Sequence, residues 1–218
     1  MREFIMYSKK MNAKLILFDI DDTLLYTSKN AYKKHCLICE KCWVPLTDYD
    51  LYFSYYWKKS ITEIASILIP EISSDLYMKY YKEAWEVVPY DAIYDNIKTI
   101  FNSLNDKWYL IGILTNWNEE KTTKKLDFLW IKDDCSLIFH WDNMQYKKPS
   151  PKVFEGVKGK FKEIIFIGDS LEDYYSARDA GICFYAMLTW FTKFDDFINA
   201  WLNSKFIYKD VISLLDNL

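Results

Sequence analysis

Three short apolar runs, each followed by a polar residue, constrain the fold of this chain more than any other feature. The runs and the residues that follow them are 15–18 before Asp19, 110–114 before Thr115, and 164–168 before Asp169. They are rich in Ile, Leu and Phe, and they do not alternate with polar residues. Such runs are typical of strands that are buried on both faces of a parallel sheet.

Segments with helical character lie between these runs. The ranges 93–104, 118–129 and 172–180 have the spacing or the end residues of helices, and 182–187 is a fourth apolar run. Strands that alternate with helices predict an α/β fold with an open, doubly wound, Rossmann-like parallel sheet. Ligands of such sheets bind beyond the carboxyl ends of the strands. We therefore expect the polar residues that follow the runs to meet at one crevice.

One long segment departs from this alternation. Residues 26–88 contain no buried-strand run, show helix-like spacing of apolar residues, and are punctuated by Pro45, Pro70 and, just beyond them, Pro89. We interpret 26–88 as an all-helical insertion. The α/β core then consists of 1–25 and 89–218.

Composition excludes several classes of protein. Half of the 218 residues (51%) are apolar, which excludes a disordered chain, and a net charge of −3 argues against a globally basic nucleic-acid binder. No apolar run reaches the roughly 18 residues that a membrane span needs. The first ten residues lack the apolar region of a secretory signal, and five cysteines do not indicate a disulfide framework. We expect a cytoplasmic protein with no membrane and no nucleic-acid partner.

The first candidate site follows the first strand. Asp19 and Asp21 are two residues apart, so on an extended backbone their side chains point the same way. Two close carboxylates repel each other unless a cation or a shared proton lies between them. Mg²⁺ prefers such oxygen ligands. The alternative interpretation is a surface turn in which Asp and Thr side chains cap the backbone.

Two further candidates lie near the third strand. Gly168 permits a tight turn before Asp169, and Asp173 follows four residues later. Lys148 precedes Pro149, and prolines here exclude regular structure, so its ammonium is expected on a fixed loop near the carboxylates. The alternatives are a helix N-terminus with acidic residues that suit its dipole, and an ordinary solvated lysine.

Together these motifs resemble the haloacid dehalogenase superfamily. The matching elements, in order, are D-x-D-x-T at 19–23, Thr-Asn at 115–116, Lys-Pro-x-Pro at 148–151, G-D-S-x-x-D at 168–173, and R-D-A-G at 178–181. The insertion is similar to the C1-type cap of the phosphatase-like subgroup, and 89–91 resembles the return from that cap to the core.

The resemblance implies a role for each matching residue. Asp19 would be the nucleophile that forms an aspartyl-phosphate, and Asp21 the general acid and base. Thr115, Asn116 and Lys148 would bind the phosphate of the substrate. The resemblance also implies a Mg²⁺ site, whose ligands would be Asp19, Asp169, Asp173 and the main-chain carbonyl of Asp21.

The expected activity is hydrolysis of a small-molecule phosphomonoester. Dehalogenases of the superfamily lack an acid at the position of Asp21, so its presence favours phosphoryl chemistry. Two alternatives remain. One is a phosphotransferase or phosphomutase that uses the same intermediate, and the other is a non-catalytic protein that keeps the fold as an interaction scaffold. The sequence carries no indication of an oligomeric state.

Three other patterns could indicate a function, but we interpret each of them as structural. Cys36, Cys39 and Cys42 have a spacing that could bind a metal, but on one helix the outer two lie about 9 Å apart along its axis, so we interpret them as packing residues. The aromatic stretch 49–57 could stack on a nucleobase, but we expect it in the core of the insertion. Lysines at 121, 124 and 125 are interpreted as a solvated helix end.

Overall fold

The computed structural model describes residues 13–56, 58–189 and 191–218. The first ten residues, for which no secretory signal is expected, and the end of the aromatic stretch at 57 lie outside these ranges. The chain divides into two compact units. One comprises Met1–Tyr26 with Ala92–Leu218, and the other comprises Thr27–Asp91. Their assignment as a catalytic core and a C1-type cap stays a prediction.

The first unit is built on a parallel sheet. The strands are β1 (Lys14–Phe18), β2 (Tyr109–Leu114), β3 (Leu137–Phe139), β4 (Glu163–Gly168), β5 (Cys183–Met187) and β6 (Ile207–Tyr208). They pair in the order β3-β2-β1-β4-β5-β6, and every pairing is parallel. The predicted doubly wound α/β fold class is thereby confirmed. The order reverses between β1 and β4, which is where such sheets form a ligand crevice.

Nine helices surround the strands or form the second unit within the described ranges. They are α1 (Thr27–Cys42), α2 (Tyr49–Tyr56), α3 (Ile61–Leu68), α4 (Ser74–Val87), α5 (Ile97–Asp106), α6 (Glu119–Phe128), α7 (Leu171–Ala180), α8 (Phe194–Asn199) and α9 (Val211–Leu215). None of these described helices has the length and apolar character needed to cross a membrane.

The central strand explains why the apolar runs predict the sheet so well. Leu15, Ile16, Leu17 and Phe18 of β1 are all fully buried, because β2 and β4 flank the strand and helices cover both faces. Burial on both faces removes any reason for polar residues to alternate along the strand.

Helix α5 begins four residues later than predicted. The Asn96 side chain accepts a hydrogen bond from the Thr99 amide and caps the helix there.

In the part of the chain that the structure describes, four helix ends carry tryptophan in a left-handed backbone conformation. Trp43, Trp108, Trp130 and Trp201 have φ values between 57° and 72°, and their side chains are 83–95% exposed. Gly181 ends α7 with φ 70°. At Trp43, Trp130, Trp201 and Gly181 alike, the next amide donates to the carbonyl five residues earlier. This is the Schellman helix end, whose left-handed position normally holds glycine.

The second unit has its own apolar core, formed by α1, α3 and α4. Its buried members include Ile38, Cys39, Ala65 and Tyr77. Cys39 is therefore a packing residue, as predicted. All five cysteines of the chain are free thiols. In the described residues the candidate metal-binding group does not include these cysteines.

An aromatic cluster fills the rest of this unit. Tyr52 and Phe53 of α2 are buried, and their rings contact Tyr32 of α1. This supports the packing interpretation of the aromatic stretch. His35 donates or accepts hydrogen bonds at both ring nitrogens, with the hydroxyls of Tyr77 at 2.9 Å and Thr47 at 2.7 Å. Burial lowers the pKa of His35 to about 4, so the ring is neutral near pH 7.

Candidate active site

The candidate site lies at the reversal point of the sheet. Asp19 follows β1 and Asp169 follows the neighbouring β4, while Thr115 follows β2 on the other side of β1. The amide of Asp19 donates to the carbonyl of Ile167 at 2.9 Å, which extends the sheet pairing up to the site. The carboxyl ends of the three strands thus bring distant parts of the sequence to one edge.

Three carboxylates meet at this edge. Oxygen atoms of Asp19, Asp169 and Asp173 all lie within 4.8 Å of one another, and all three residues are buried. The Thr23 hydroxyl donates to Asp169 Oδ1 at 3.0 Å, and the Ser170 hydroxyl donates to Asp173 Oδ2 at 2.6 Å. These two hydroxyls fix the orientation of the carboxylates beside them.

Gly168 makes room for this arrangement. A Cβ at position 168 would lie 2.6 Å from Asp173 Oδ2 and 2.8 Å from Asp173 Cβ, closer than real Cβ contacts come. The glycine is therefore required by the approach of Asp173 to the end of β4, and not by a left-handed backbone.

Lys148 links two of the carboxylates. Its buried ammonium donates to Asp19 Oδ1 and to Asp173 Oδ1, both at 2.6 Å. Asn116 holds the loop that carries it: Asn116 Nδ2 donates to the Lys148 carbonyl at 3.1 Å, and the Lys148 amide donates to Asn116 Oδ1 at 2.9 Å. The ammonium is thus fixed from both its main chain and its side chain.

Burial and mutual repulsion shape the charges here. Burial raises the pKa of Asp19 to about 7, and the negative charges of Asp173 and Asp21 add to that rise, while Lys148 opposes it. Burial, together with Asp22, Asp173 and Asp19, raises the pKa of Asp169 well above its ordinary value. Burial lowers the pKa of Lys148, but its two carboxylate partners outweigh burial and raise it overall. The cluster therefore favours a bound cation.

The side chain of Asp21 lies outside the three-carboxylate cluster. Lys125 Nζ donates to its Oδ1, and the indole nitrogen of Trp117 donates to its Oδ2. The prediction of a solvated end for α6 is therefore wrong at Lys125, which is only 2% exposed. It is right for Lys124, which is exposed and pairs with Glu120 one turn earlier.

Most of the predicted site residues come together, and four contributors were missed. Asp19, Asp169, Asp173 and Lys148 are in mutual contact or within ligand distance, and Thr115 is buried at the end of the adjacent strand. The missed residues are Thr23, Ser170, Trp117 and Lys125. Thr23 and Ser170 stand inside the motifs and could have been assigned from their hydroxyls. Trp117 and Lys125 carry no such signal.

These features define a class of protein, namely doubly wound α/β proteins with a buried carboxylate cluster at the reversal point of the sheet. The family described as haloacid dehalogenase-like hydrolase matches residues 16–187, most of the chain. The chain therefore belongs to the haloacid dehalogenase-like hydrolases. The predicted family is confirmed, and so is the prediction of an enzyme of the phosphatase-like hydrolase class.

Individual relatives span nearly the whole chain. A phosphoglycolate phosphatase of Aquifex aeolicus is 25% identical over 218 residues, covering 94% of this chain and 97% of that relative. A structure described as a β-phosphoglucomutase from Thermotoga maritima aligns with a TM-score of 0.77 at 15% identity, over 94% of this chain and 97% of that one. The magnesium-bound HAD-hydrolase YfnB of Bacillus subtilis aligns with a TM-score of 0.63 at 22% identity, over 81% and 89%. These two structures share the fold.

Proposed function

We propose that this protein is a Mg²⁺-dependent phosphatase that hydrolyses a small-molecule phosphomonoester through an aspartyl-phosphate on Asp19. The observation that carries the proposal is the convergence of Asp19, Asp169 and Asp173 with the ammonium of Lys148 at the reversal point of the sheet. Membership in a hydrolase family and the phosphatase relatives support it.

The donor set fits a magnesium ion. Three buried carboxylates are grouped here, and the Lys148 ammonium pairs with only Asp19 and Asp173 of them. Buried negative charge of this kind is costly unless a cation offsets it. Asp19, Asp169 and Asp173 would hold Mg²⁺, with the main-chain carbonyl of Asp21 as a further ligand and water completing the shell. When bound, the ion supplies positive charge to the transferring phosphoryl group.

The residues of this chain then divide the reaction into two steps. A carboxylate oxygen of Asp19 attacks phosphorus, and the bond from phosphorus to the leaving oxygen breaks as Asp21 donates a proton to that oxygen. Asp21 next takes a proton from water, whose oxygen attacks phosphorus and releases phosphate from Asp19. Lys148 and Thr115 bind the phosphoryl oxygens, with the main-chain amide of Asn116, and so neutralise the charge that develops there.

The names of two relatives support a small phosphate compound as the substrate. The name of the Aquifex aeolicus relative describes a phosphatase of a small phosphorylated acid, and a second relative, from Anoxybacillus flavithermus, is named a pyrophosphatase. Phosphoglycolate and pyrophosphate, the compounds in these two names, are both small. We therefore propose a small-molecule phosphate as substrate here, and a cytoplasmic location remains our expectation.

A phosphomutase is the second candidate. The fold shared with a structure described as a β-phosphoglucomutase favours it, because such an enzyme would use the same aspartyl-phosphate and return the phosphoryl group to a sugar. Incubation with sugar phosphates separates the two functions. A phosphatase releases inorganic phosphate, whereas a mutase forms an isomeric sugar phosphate that NMR detects.

The direct test is a phosphate-release assay over a panel of small phosphomonoesters, with Mg²⁺ and with a chelator. We expect release from at least one compound with Mg²⁺, loss of that release with chelator, and recovery when Mg²⁺ is restored. Thermal unfolding recorded in both buffers controls for unfolding of the protein. Phosphate release that is equal with and without chelator would contradict the metal assignment, and no release from any compound would contradict the function.

A further inference from the structure

Asp21 is held at both of its carboxylate oxygens. The ammonium of Lys125 contacts Oδ1 and the indole nitrogen of Trp117 contacts Oδ2. The side chain of Lys125 is 3% exposed and that of Asp21 is 16% exposed. The ion pair with the buried Lys125 ammonium by itself restricts rotation of the Asp21 carboxylate, so Lys125 helps to set the direction in which that carboxylate faces.

The burial of Lys125 needs an explanation. A lysine on a helix surface can keep its ammonium in water, as Lys124 does. Lys125 instead lies on the buried face of α6 with Thr122 and Leu126, and its ammonium is 4.6 Å from the centre of the Trp117 ring. Removing an ammonium from water is costly unless it is paired. Its pairing with Asp21 satisfies that condition.

Given the proposed function, we infer that Lys125 is a positioning residue for Asp21. Its ion pair keeps the Asp21 carboxyl directed toward the leaving oxygen of the substrate, and Lys125 itself does not touch the substrate. Loss of Lys125 should therefore impair the proton transfer that Asp21 performs. The carboxylate cluster of Asp19, Asp169 and Asp173 should remain intact.

The leaving group of the substrate distinguishes this role from general structural support. Ethyl phosphate needs a proton on its leaving oxygen, whereas p-nitrophenolate leaves without one. For Lys125→Met we expect kcat/KM to fall about tenfold with ethyl phosphate, because misplacing Asp21 loses part of the roughly 10²–10⁴-fold that general acid catalysis contributes. The fall with p-nitrophenyl phosphate should be clearly smaller. Lys124→Met, an exposed neighbour on the same helix, should match the wild type with both substrates.

A double-variant comparison covers the case in which Lys125→Met fails to fold. Asp21→Asn/Lys125→Met removes both partners and leaves no unpaired charge between them. If Lys125 acts through Asp21, the double variant should be as active as Asp21→Asn alone. A further loss in the double variant, or equal losses with the two leaving groups in Lys125→Met, would overturn the positioning role. A wild type that releases no phosphate would instead contradict the proposed function.

An independent inference follows from the four left-handed tryptophans. Their backbone conformation is one that only glycine adopts without cost, and three of them complete the same hydrogen-bond pattern as Gly181. Their side chains project into solvent, so packing does not account for them. The chain holds nine tryptophans and only five glycines. At each of the four positions the backbone has the left-handed conformation that favours glycine, and the tryptophan side chain is exposed and does not pack in the core.

We propose that the protein made in its native host carries glycine at 43, 108, 130 and 201. A single codon, UGA, is read as tryptophan in some genetic codes and as glycine in others, so one difference in reading would change all four positions together. The inference about Lys125 rests on its ion pair with Asp21 and on its place on the buried face of α6, and not on Trp117.

Peptide mass mapping of the protein purified from its native host tests this proposal. We expect the peptides that contain these four positions to have the masses of glycine-containing peptides. The recombinant tryptophan form, digested in parallel, is the matched reference. Tryptophan masses at the four positions in the native protein would overturn the proposal.

Discussion

Asp19→Asn is expected to abolish turnover of phosphomonoesters. An amide is a poor nucleophile toward phosphorus, and the same change removes one ligand of the proposed metal. We expect kcat to fall on the order of 10⁴-fold or more, as it does when a nucleophile that acts within a concerted group is removed. The fold should persist, because the side chain keeps its shape and Lys148 retains its ion pair with Asp173.

Phosphate release measured with Mg²⁺ and an active substrate checks this expectation. Glu163→Gln is a suitable control, since Glu163 pairs with Lys14 at a partly exposed position on the same sheet. Thermal unfolding of all three proteins separates loss of chemistry from loss of structure. If Asp19→Asn retained the activity of the wild type, Asp19 would not be the nucleophile.

Replacing three of the exposed tryptophans by glycine is expected to stabilise the first unit. Trp108, Trp130 and Trp201 each hold a left-handed conformation that costs a non-glycine residue roughly 1–2 kcal/mol. Glycine recovers that cost but loses some chain entropy on folding, so the net gain is about 1 kcal/mol per site. The three positions lie at separate helix ends, so their gains should add. We expect the free energy of unfolding of the triple variant to be higher by about 3 kcal/mol.

For a chain of this size, such a gain raises Tm by roughly 6–12 °C. The triple alanine variant at the same positions is the matched control, because it also removes the exposed indole rings but leaves a Cβ in the left-handed conformation. We expect the alanine variant to gain much less than the glycine variant. Equal Tm values for the two variants would show that the exposed rings, and not the backbone, cause the difference.

The sequence predicts the sheet wherever a strand is buried on both faces. The runs that became β1, β2, β4 and β5 are continuous and apolar because neighbouring strands and helices cover them. β3 and β6 were missed since they are only three and two residues long and lie at the two edges of the sheet, where their residues are partly exposed. Strands that short leave too little periodicity to detect.

The residues of the candidate site, too, were predictable from the sequence only in part. Asp19, Asp169 and Lys148 follow from motifs, because each stands beside a strand end or a proline that fixes its position. Lys125 could not be found this way, since helical spacing alone does not say that Trp117 and Asp21 cover that side of α6. Its burial is set by residues about ten and a hundred positions away in the chain.

The most direct test of the account is to trap the phosphorylated enzyme. After brief reaction of the wild type with an active substrate and Mg²⁺, acid quenching and reduction with borohydride convert a phosphorylated aspartate to homoserine, which peptide sequencing by mass spectrometry locates. We expect homoserine at Asp19 and at no other aspartate. Homoserine at another position, or none at all during active turnover, would contradict the assignment of Asp19 as the residue that accepts the phosphoryl group.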